Sequence, residues 1–337
     1  MTDFLLIFPI LASFLITLFL MPPWIRKAKQ IGLLWDDMNK ISNEKVAGSG
    51  GIIVLSAFII SVFIFVAYRT FYLKDATHLI EIISLISVLL LAGGIGFIDD
   101  LFGWQHGGLS KRSRMIMLIV AAIPLMAINA GRHDMAFPFF GSIDIGLLYP
   151  LLLIPLGIVG ATATFNFLAG FNGLEAGQGI LLLSALSIVA FFTGTTWLAL
   201  IGLCMVIALL AFLFYNFTPA KVFPGDVLTY SVGALIAIMA ILGNFEKVAV
   251  FFFIPYIMEV ILKSRGKLVK YSFGKPQKDG SLELLYPKIY GLTHLSILIL
   301  KKIGIKPTEK KVVYLIWTFQ LLVIIIGFII FRTGIFL

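Results

Sequence analysis

The chain has 337 residues, of which 60% are hydrophobic and 13% charged, about half the charged share of an ordinary soluble domain. Polar residues are too few to cover a soluble surface, and the apolar ones fall in long blocks, so a bilayer is the expected solvent. A net charge of +9 would point to nucleic acid in a soluble protein; in a membrane protein it marks cytoplasmic loops, and no nucleic-acid partner is expected. The single cysteine, Cys204, excludes an internal disulfide and argues against a cysteine metal site.

Apolar blocks of about 16–20 residues suit helices crossing about 30 Å of hydrocarbon. They are predicted at 4–21, 51–68, 80–98, 115–130, 146–164, 178–194, 196–215, 227–243, 248–263 and 312–331, ten in all. Each must be helical, because lipid offers an open backbone no hydrogen-bond partner. The first block lacks a basic n-region and a small-residue cleavage site, so it reads as a retained helix. The segment 131–145, GRHDMAFPFFGSIDI, alternates apolar and polar residues around a glycine and predicts a short hairpin at the outer surface. Segment 289–302 is too short and interrupted to span, and reads as a helix along the inner interface. No internal repeat or low-complexity linker is visible. The expected fold is therefore an all-α polytopic membrane protein with about ten transmembrane helices in one integral domain, 1–337, with loops near 22–50, 99–114, 165–177, 216–226 and 264–311.

Lys and Arg in the segments after the odd-numbered blocks total 21, against 5 in the remaining loops and the C-terminal tail. The first set is predicted to be cytoplasmic, with both termini outside; without the longest segment the ratio is still 9 to 5. All the notable carboxylates and amides fall on that same side. Asp99 and Asp100 close the third block, and Asp226 opens the eighth. Asn166, Asn172 and Glu175 lie at the end of the fifth, and Asp36 and Asp37 in the first inner loop. Taken singly, Asp226 reads as a helix cap and Asn172-Gly173 as a turn. The Asp99–Asp100 pair is harder to explain structurally, since the dipole at a helix C-terminus disfavours anions. Charges beside hydrocarbon need a partner or a function. Acids gathered with amides and lysines at one face predict a site for a hard cation and phosphate, with Mg2+ favoured and Mn2+ admissible. His78, His133 and His294 read as surface residues. His106 is near the site but alone.

Four motifs, in order, carry a resemblance: DMNK at 37–40, GFIDD at 96–100, NFLAGFNGLEAGQ at 166–178 and NFTPAKVFPGD at 216–226. The chain resembles the polyprenyl-phosphate N-acetylhexosamine-1-phosphate transferases, a glycosyltransferase 4 type family of membrane enzymes, over most of its length. The wording GLEAGQ is similar to the archaeal and eukaryotic branch that acts on UDP-GlcNAc and dolichyl phosphate; the bacterial peptidoglycan enzymes typically read GLDGL. The resemblance implies that Asn166 and Asp226 contact magnesium beside the diphosphate. Gly170 and Phe223 sandwich the uracil ring, Asn172 hydrogen-bonds it, and the Met38 backbone amide contacts it, with Glu175 in the same substrate-binding motif. Asp99 and Asp100 match a catalytic aspartate pair whose role is disputed. Lys111 matches, two residues out of register, the lysine that holds the lipid phosphate. Three departures stand out. Gly48 occupies a position that is acidic in the eukaryotic pattern, and Gly103 replaces a family Asn. The last inner loop carries Arg265, Lys267, Lys270 and Lys275 but none of the family's histidines, leaving open which residues grip the sugar diphosphate.

The implied reaction transfers GlcNAc-1-phosphate from UDP-GlcNAc to a polyprenyl (dolichyl) phosphate and releases UMP, the first step of lipid-linked oligosaccharide assembly for N-glycosylation. The partners are then a UDP-N-acetylhexosamine, the polyprenyl phosphate and membrane lipids, with a homodimer a common arrangement in the family. A nucleotide-sugar or lipid-linked-sugar transporter is the competing reading. It would place its polar residues near the bilayer midplane, commonly within inverted repeats.

Overall fold

The computed structural model describes residues 4–42, 44–137 and 141–336. Its helices are α1 (Ile7–Ile31), α2 (Gly51–Ala67), α3 (Leu79–His106), α4 (Lys111–Ala121), α5 (Ile123–Ala127), α6 (Ile154–Phe167), α7 (Leu174–Phe192), α8 (Thr196–Asn216), α9 (Gly225–Gly243), α10 (Glu246–Phe252), α11 (Ile254–Ser264), α12 (Leu292–Lys302) and α13 (Glu309–Ile330). Strands occur as three antiparallel pairs: β1 (Leu34–Asp36) with β2 (Lys45–Ala47), β3 (Asp134–Phe137) with β4 (Gly141–Asp144), and β5 (Gly274–Pro276) with β6 (Leu282–Leu284). The second pair is the hairpin expected within 131–145; residues 138–140 at its turn lie outside the described residues.

Among the described residues, eight helical segments are long and apolar enough to cross a membrane: Phe4–Ile31, Gly51–Leu73, Leu79–Gly103, Tyr149–Phe167, Leu174–Phe192, Thr196–Asn216, Gly225–Gly243 and Glu309–Ile330. They match eight of the ten predicted blocks. The other two are each a pair of short helices. Block 115–130 is α4 and α5, parted next to Pro124; block 248–263 is α10 and α11, parted next to Pro255. Proline lacks the N–H that the helical ladder needs, and its ring collides with the preceding turn. Hydropathy alone cannot tell a straight helix from two halves. Both pairs nonetheless carry the chain back along the bundle. The ends of α3 and α6 both reach the first turn of α9, so the intervening residues must return to the far end. Likewise α9 ends at the far end, whereas the start of α13 sits beside Asn172.

The bundle is organised around α9, 15 of whose 19 residues are buried, as expected of a helix apolar on every face. It packs against α3, α6, α2 and α7. Lipid gives no hydrophobic drive between helices, so close backbone approach over small residues does the packing. A side chain at Gly96 of α3 would lie 2.4 Å from the Asp226 carbonyl oxygen, so the two backbones touch where both carry acids. By contrast α1 is peripheral, with Phe8 and Phe19 exposed, a surface suited to acyl chains rather than water.

Segment 289–302 contains α12, a short helix with one face packed into the protein. Its residues Leu292, Thr293, His294, Ser296, Ile297 and Leu300 are buried, and it packs against α11, α13 and the β5–β6 pair. His294 is therefore a core residue, 1% exposed, which corrects its expected place on the surface. The apolar residues 292, 297 and 300 drive this burial, and the histidine is carried in with them.

Candidate active site

The acids and amides singled out in the sequence converge at one end of the bundle. The link between α6 and α9 is Asn166, whose Nδ2 donates to Asp226 Oδ1 (2.7 Å) and Thr229 Oγ1 (2.9 Å). The link between α3 and α9 is Asp100. Its Oδ1 accepts from the Asp226 backbone N–H (2.7 Å), and its Oδ2 accepts from the Ser49 hydroxyl (2.8 Å) just before α2. This arrangement requires glycine at 225: φ is +71°, and a side chain there would meet Asp100 Oδ2 at 2.2 Å. The VFPGD motif thus brings the start of α9 onto a carboxyl in the last third of α3, which continues past the aspartate pair to His106.

Asp99 faces another way. Its Oδ1 accepts from the Leu109 backbone N–H (2.6 Å), and its Oδ2 lies 2.8 Å from Arg114 Nε. Arg114, on the first turn of α4, also stands 3.8 Å from Asp226 Oδ2. Among the described residues one guanidinium thus stands at ion-pair distance from two of the three carboxyls, Asp99 and Asp226, while Asp100 is held by the Ser49 hydroxyl and the Asp226 N–H. Neither Asp99 nor Arg114 lines the cleft described below; Asp99 anchors the arginine next to it.

The cleft has a volume of about 490 Å³. Met38, Asp100, Asn166, Gly170, Asn172, Glu175, Phe223 and Asp226 all line it, so eight of the predicted site residues share one cavity. Glu175, buried, accepts the Gly170 N–H through Oε1 (2.7 Å) and so shapes the turn between α6 and α7. Asn172 is fixed from three directions. Its Nδ2 donates to Asp37 Oδ2 (2.9 Å), its backbone N–H donates to Glu309 Oε1 (2.9 Å), and the next amide, Gly173 N, donates to Asn216 Oδ1 (3.1 Å). Asp37 is in turn paired with Lys40 (2.6 Å). Asn39 of the DMNK motif donates to the Gly170 carbonyl (2.8 Å) and accepts from Gly274 N (3.0 Å), tying the first loop to the last.

Three predicted residues stand elsewhere. Lys111 is on the rim, with Nζ donating to the Leu268 carbonyl (3.0 Å). Arg265 and Lys267 lie in the turn after α11 and do not line the cleft. The last loop contributes aromatic residues instead: Tyr271 and Phe273 line the cavity, and the Phe273 ring covers Gly170, where a side chain would meet it at 2.7 Å. His294 holds that segment from behind. Its Nε2 donates to the Phe273 carbonyl (3.1 Å), and its Nδ1 accepts from Tyr290 N (3.4 Å), which defines a neutral tautomer. Burial pushes its pKa below the usual histidine value, against the opposing effect of the Phe273 hydrogen bond.

Arg114, Glu309, Trp35, Tyr271 and Phe273 were not legible as site residues. Arg114 carried a faint signal, lying three residues beyond the lysine matched out of register. Glu309 carried none, since its partner is 137 residues away.

The donor set fits a hard divalent cation. Carboxyl and amide oxygens are the ligands Mg2+ prefers, and it commonly takes one or two from protein and the rest from water and phosphate. Asn166 and Asp226 are close enough to share one ion. No three acidic, histidine or cysteine side chains among the described residues are grouped to hold a metal ion by themselves.

Comparison with known proteins supports the same family. The sequence profile described as glycosyl transferase family 4 matches residues 82–244. A protein of Saccharolobus solfataricus with the provisional name UDP-N-acetylglucosamine–dolichyl-phosphate N-acetylglucosaminephosphotransferase is 34% identical over 333 residues, covering 98% of each chain. The UDP-N-acetylglucosamine–dolichyl-phosphate N-acetylglucosaminephosphotransferase of Dictyostelium discoideum is 29% identical over 285 residues, 73% of this chain and 68% of its own. A phospho-N-acetylmuramoyl-pentapeptide-transferase of Shouchella clausii is 34% identical over 260 residues, 73% of this chain and 77% of its own. With near-complete coverage at that identity, and with the family's motifs folded into one cleft, the chain belongs to glycosyl transferase family 4, the polyprenyl-phosphate sugar-1-phosphate transferases.

Proposed function

We propose that the protein transfers GlcNAc-1-phosphate from UDP-GlcNAc to dolichyl phosphate, giving dolichyl-diphospho-GlcNAc and UMP. The observation that carries this is the Asn166–Asp226–Asp100 chain of hydrogen bonds, which gathers three helices' polar groups into one cleft at one end of an apolar bundle. The names of the relatives from S. solfataricus and D. discoideum support the donor and acceptor. The excess of Lys and Arg in the loops on the site's side supports a cytoplasmic cleft. Labelling of a cysteine placed at Lys278 by a membrane-impermeant reagent only in inverted vesicles would establish that orientation.

In this reading an oxygen of the lipid phosphate attacks the sugar-side phosphorus, a new P–O bond forms, and the bond to UMP breaks. Catalysis of such a step rests on positioning and charge stabilisation. Asn172, oriented by Asp37 and Glu309, holds the base. Asn166 and Asp226 would hold magnesium, which when bound supplies neutralisation of charge on the diphosphate and the departing UMP. Asp100 sets the first turn of α9 and thereby the direction of Asp226. Arg114, steadied by Asp99, is better placed than Lys111 to draw in the acceptor phosphate. A phosphomonoester is mostly a dianion at pH 7, so its oxygen needs no residue to remove a proton.

The test is purified protein with dolichyl phosphate, Mg2+ and UDP-GlcNAc labelled in the sugar. Label should enter the organic phase in step with UMP release, and both should vanish on chelation and in Asp226→Ala. Label that stays aqueous would refute the transfer, and uptake of intact nucleotide sugar into vesicles would establish the transporter instead.

A further inference from the structure

Trp35 stands in the middle of β1, and its indole spans two glycines from distant parts of the chain. A side chain at Gly48, after β2, would meet Trp35 Nε1 at 2.6 Å; one at Gly103, three residues beyond the aspartate pair, would meet Cη2 at 3.1 Å. The pyrrole edge therefore covers Gly48 and the benzo end reaches the last turns of α3. These are two of the three places at which the resemblance marks a departure, a larger polar residue being implied at each. One aromatic side chain fills the space that both leave.

The indole is not simply core. It is half-buried and lines the cleft together with Asp37, Ser49 and Asp100. Its ring N–H has no hydrogen-bond partner among the described residues, in contrast to the Trp24 N–H, which donates to the Gly48 carbonyl (3.0 Å). A buried or half-buried tryptophan normally finds such a partner. The cleft thus has an aromatic surface on its wall, with the ring N–H at the edge that covers Gly48. The base-holding residue Asn172 is tied to Asp37, two residues on from Trp35, so the indole lies between that end and the acids around Asp100.

We propose that Trp35 is a specificity-determining residue: the hexosamine of the nucleotide sugar packs its C–H face on the indole and offers an oxygen to the ring N–H. With no side chain at positions 48 and 103, this chain selects its sugar by stacking on the indole that covers both. The inference rests on the transferase reading for the identity of the ligand, and its test reads binding rather than turnover.

Equilibrium binding of UDP-GlcNAc and of UMP is measured by competition on the purified, Mg2+-supplemented protein and on Trp35→Ala, Trp35→Phe and Gly48→Ala. Trp35→Ala should weaken UDP-GlcNAc about tenfold, the scale of one aromatic stacking contact with its hydrogen bond, while UMP changes less than about twofold. Trp35→Phe should recover most of the loss. Gly48→Ala, which pushes the indole aside, should copy Trp35→Ala. Equal weakening of both ligands would place Trp35 at the base or in the fold generally, and an unchanged UDP-GlcNAc affinity would remove it from the site; either overturns the proposal. Tight binding without UMP release by the unmodified protein would sink the transferase reading alone, whereas failure to bind either nucleotide would sink both.

Discussion

Asp100 acts by two hydrogen bonds, and truncation and isosteric replacement should separate that role from its charge. Asp100→Ala strips the acceptor from the Asp226 backbone N–H and from the Ser49 hydroxyl, both within the protein. A buried donor that loses its partner costs about 1–3 kcal/mol, so the two together cost about 2–6 kcal/mol. Asp100→Asn keeps Oδ1 for the amide, and its Nδ2 can donate to the Ser49 oxygen, so the geometry survives while the negative charge is lost. The lone cysteine provides the reporter. Cys204 is buried in α8, and a thiol-reactive fluorophore in detergent reads its exposure on unfolding. At about 2 °C per kcal/mol for a chain of this size, Asp100→Ala should melt at least about 4 °C below the parent, and Asp100→Asn within about 2 °C. UMP release should fall in both, more than a hundredfold in Asp100→Ala, because the first turn of α9 and Asp226 with it lose their anchor. Equal melting of the two variants would show that the hydrogen bonds are not what Asp100 contributes. Undiminished UMP release in both would take Asp100 out of the site.

Glu309→Ala orphans the Asn172 amide and should raise KM for UDP-GlcNAc at least fivefold with little change in kcat, while Glu309→Gln, which keeps an acceptor, should stay within about threefold; a kcat defect with unchanged KM would contradict the base-positioning role. Arg114→Ala should lower kcat/KM for the lipid phosphate far more than Lys111→Ala, since the first faces Asp99 and Asp226 and the second a rim carbonyl; the reverse order in steady-state kinetics would restore the lysine. For His294 the sign follows from its lowered pKa: the unfolded chain takes up a proton near pH 6.5 before the folded one does. Stability should be full above that value and decline as pH falls below it. The melting temperature of His294→Gln should show a smaller drop between pH 7.5 and 5.5, and identical drops would exclude the histidine.

Much of the site was legible because glycines, amides and acids sit in contiguous motifs whose order along the chain reports a shared end of the bundle. Asn166, Asn172, Phe223 and Asp226 needed no long-range information. What escaped were contacts made between motifs. Glu309 opens α13 as an ordinary first-turn acid, and only the fold shows that its carboxylate supports Asn172. Arg114 is one of three cations within 111–114, and only the fold shows that Asp99 holds it. The last loop carries several cations suited to gripping a diphosphate, whereas the side chains it turns into the cavity are Tyr271 and Phe273. The spans failed in one physical respect: hydropathy averages over Pro124 and Pro255, so two interrupted crossings read as whole ones.

The backbone contact between Gly96 and Asp226 has a consequence for how such an enzyme can diversify. Where two main chains touch, no side chain can be enlarged and neither helix can slide, so the acids of α3 and α9 form a chassis with no slack. Altered donor preference has to come from the rim, where β1, the loop after it and the segment around Phe273 present replaceable side chains to the same cavity. A library confined to those segments would vary what is recognised while leaving the phosphate chemistry untouched.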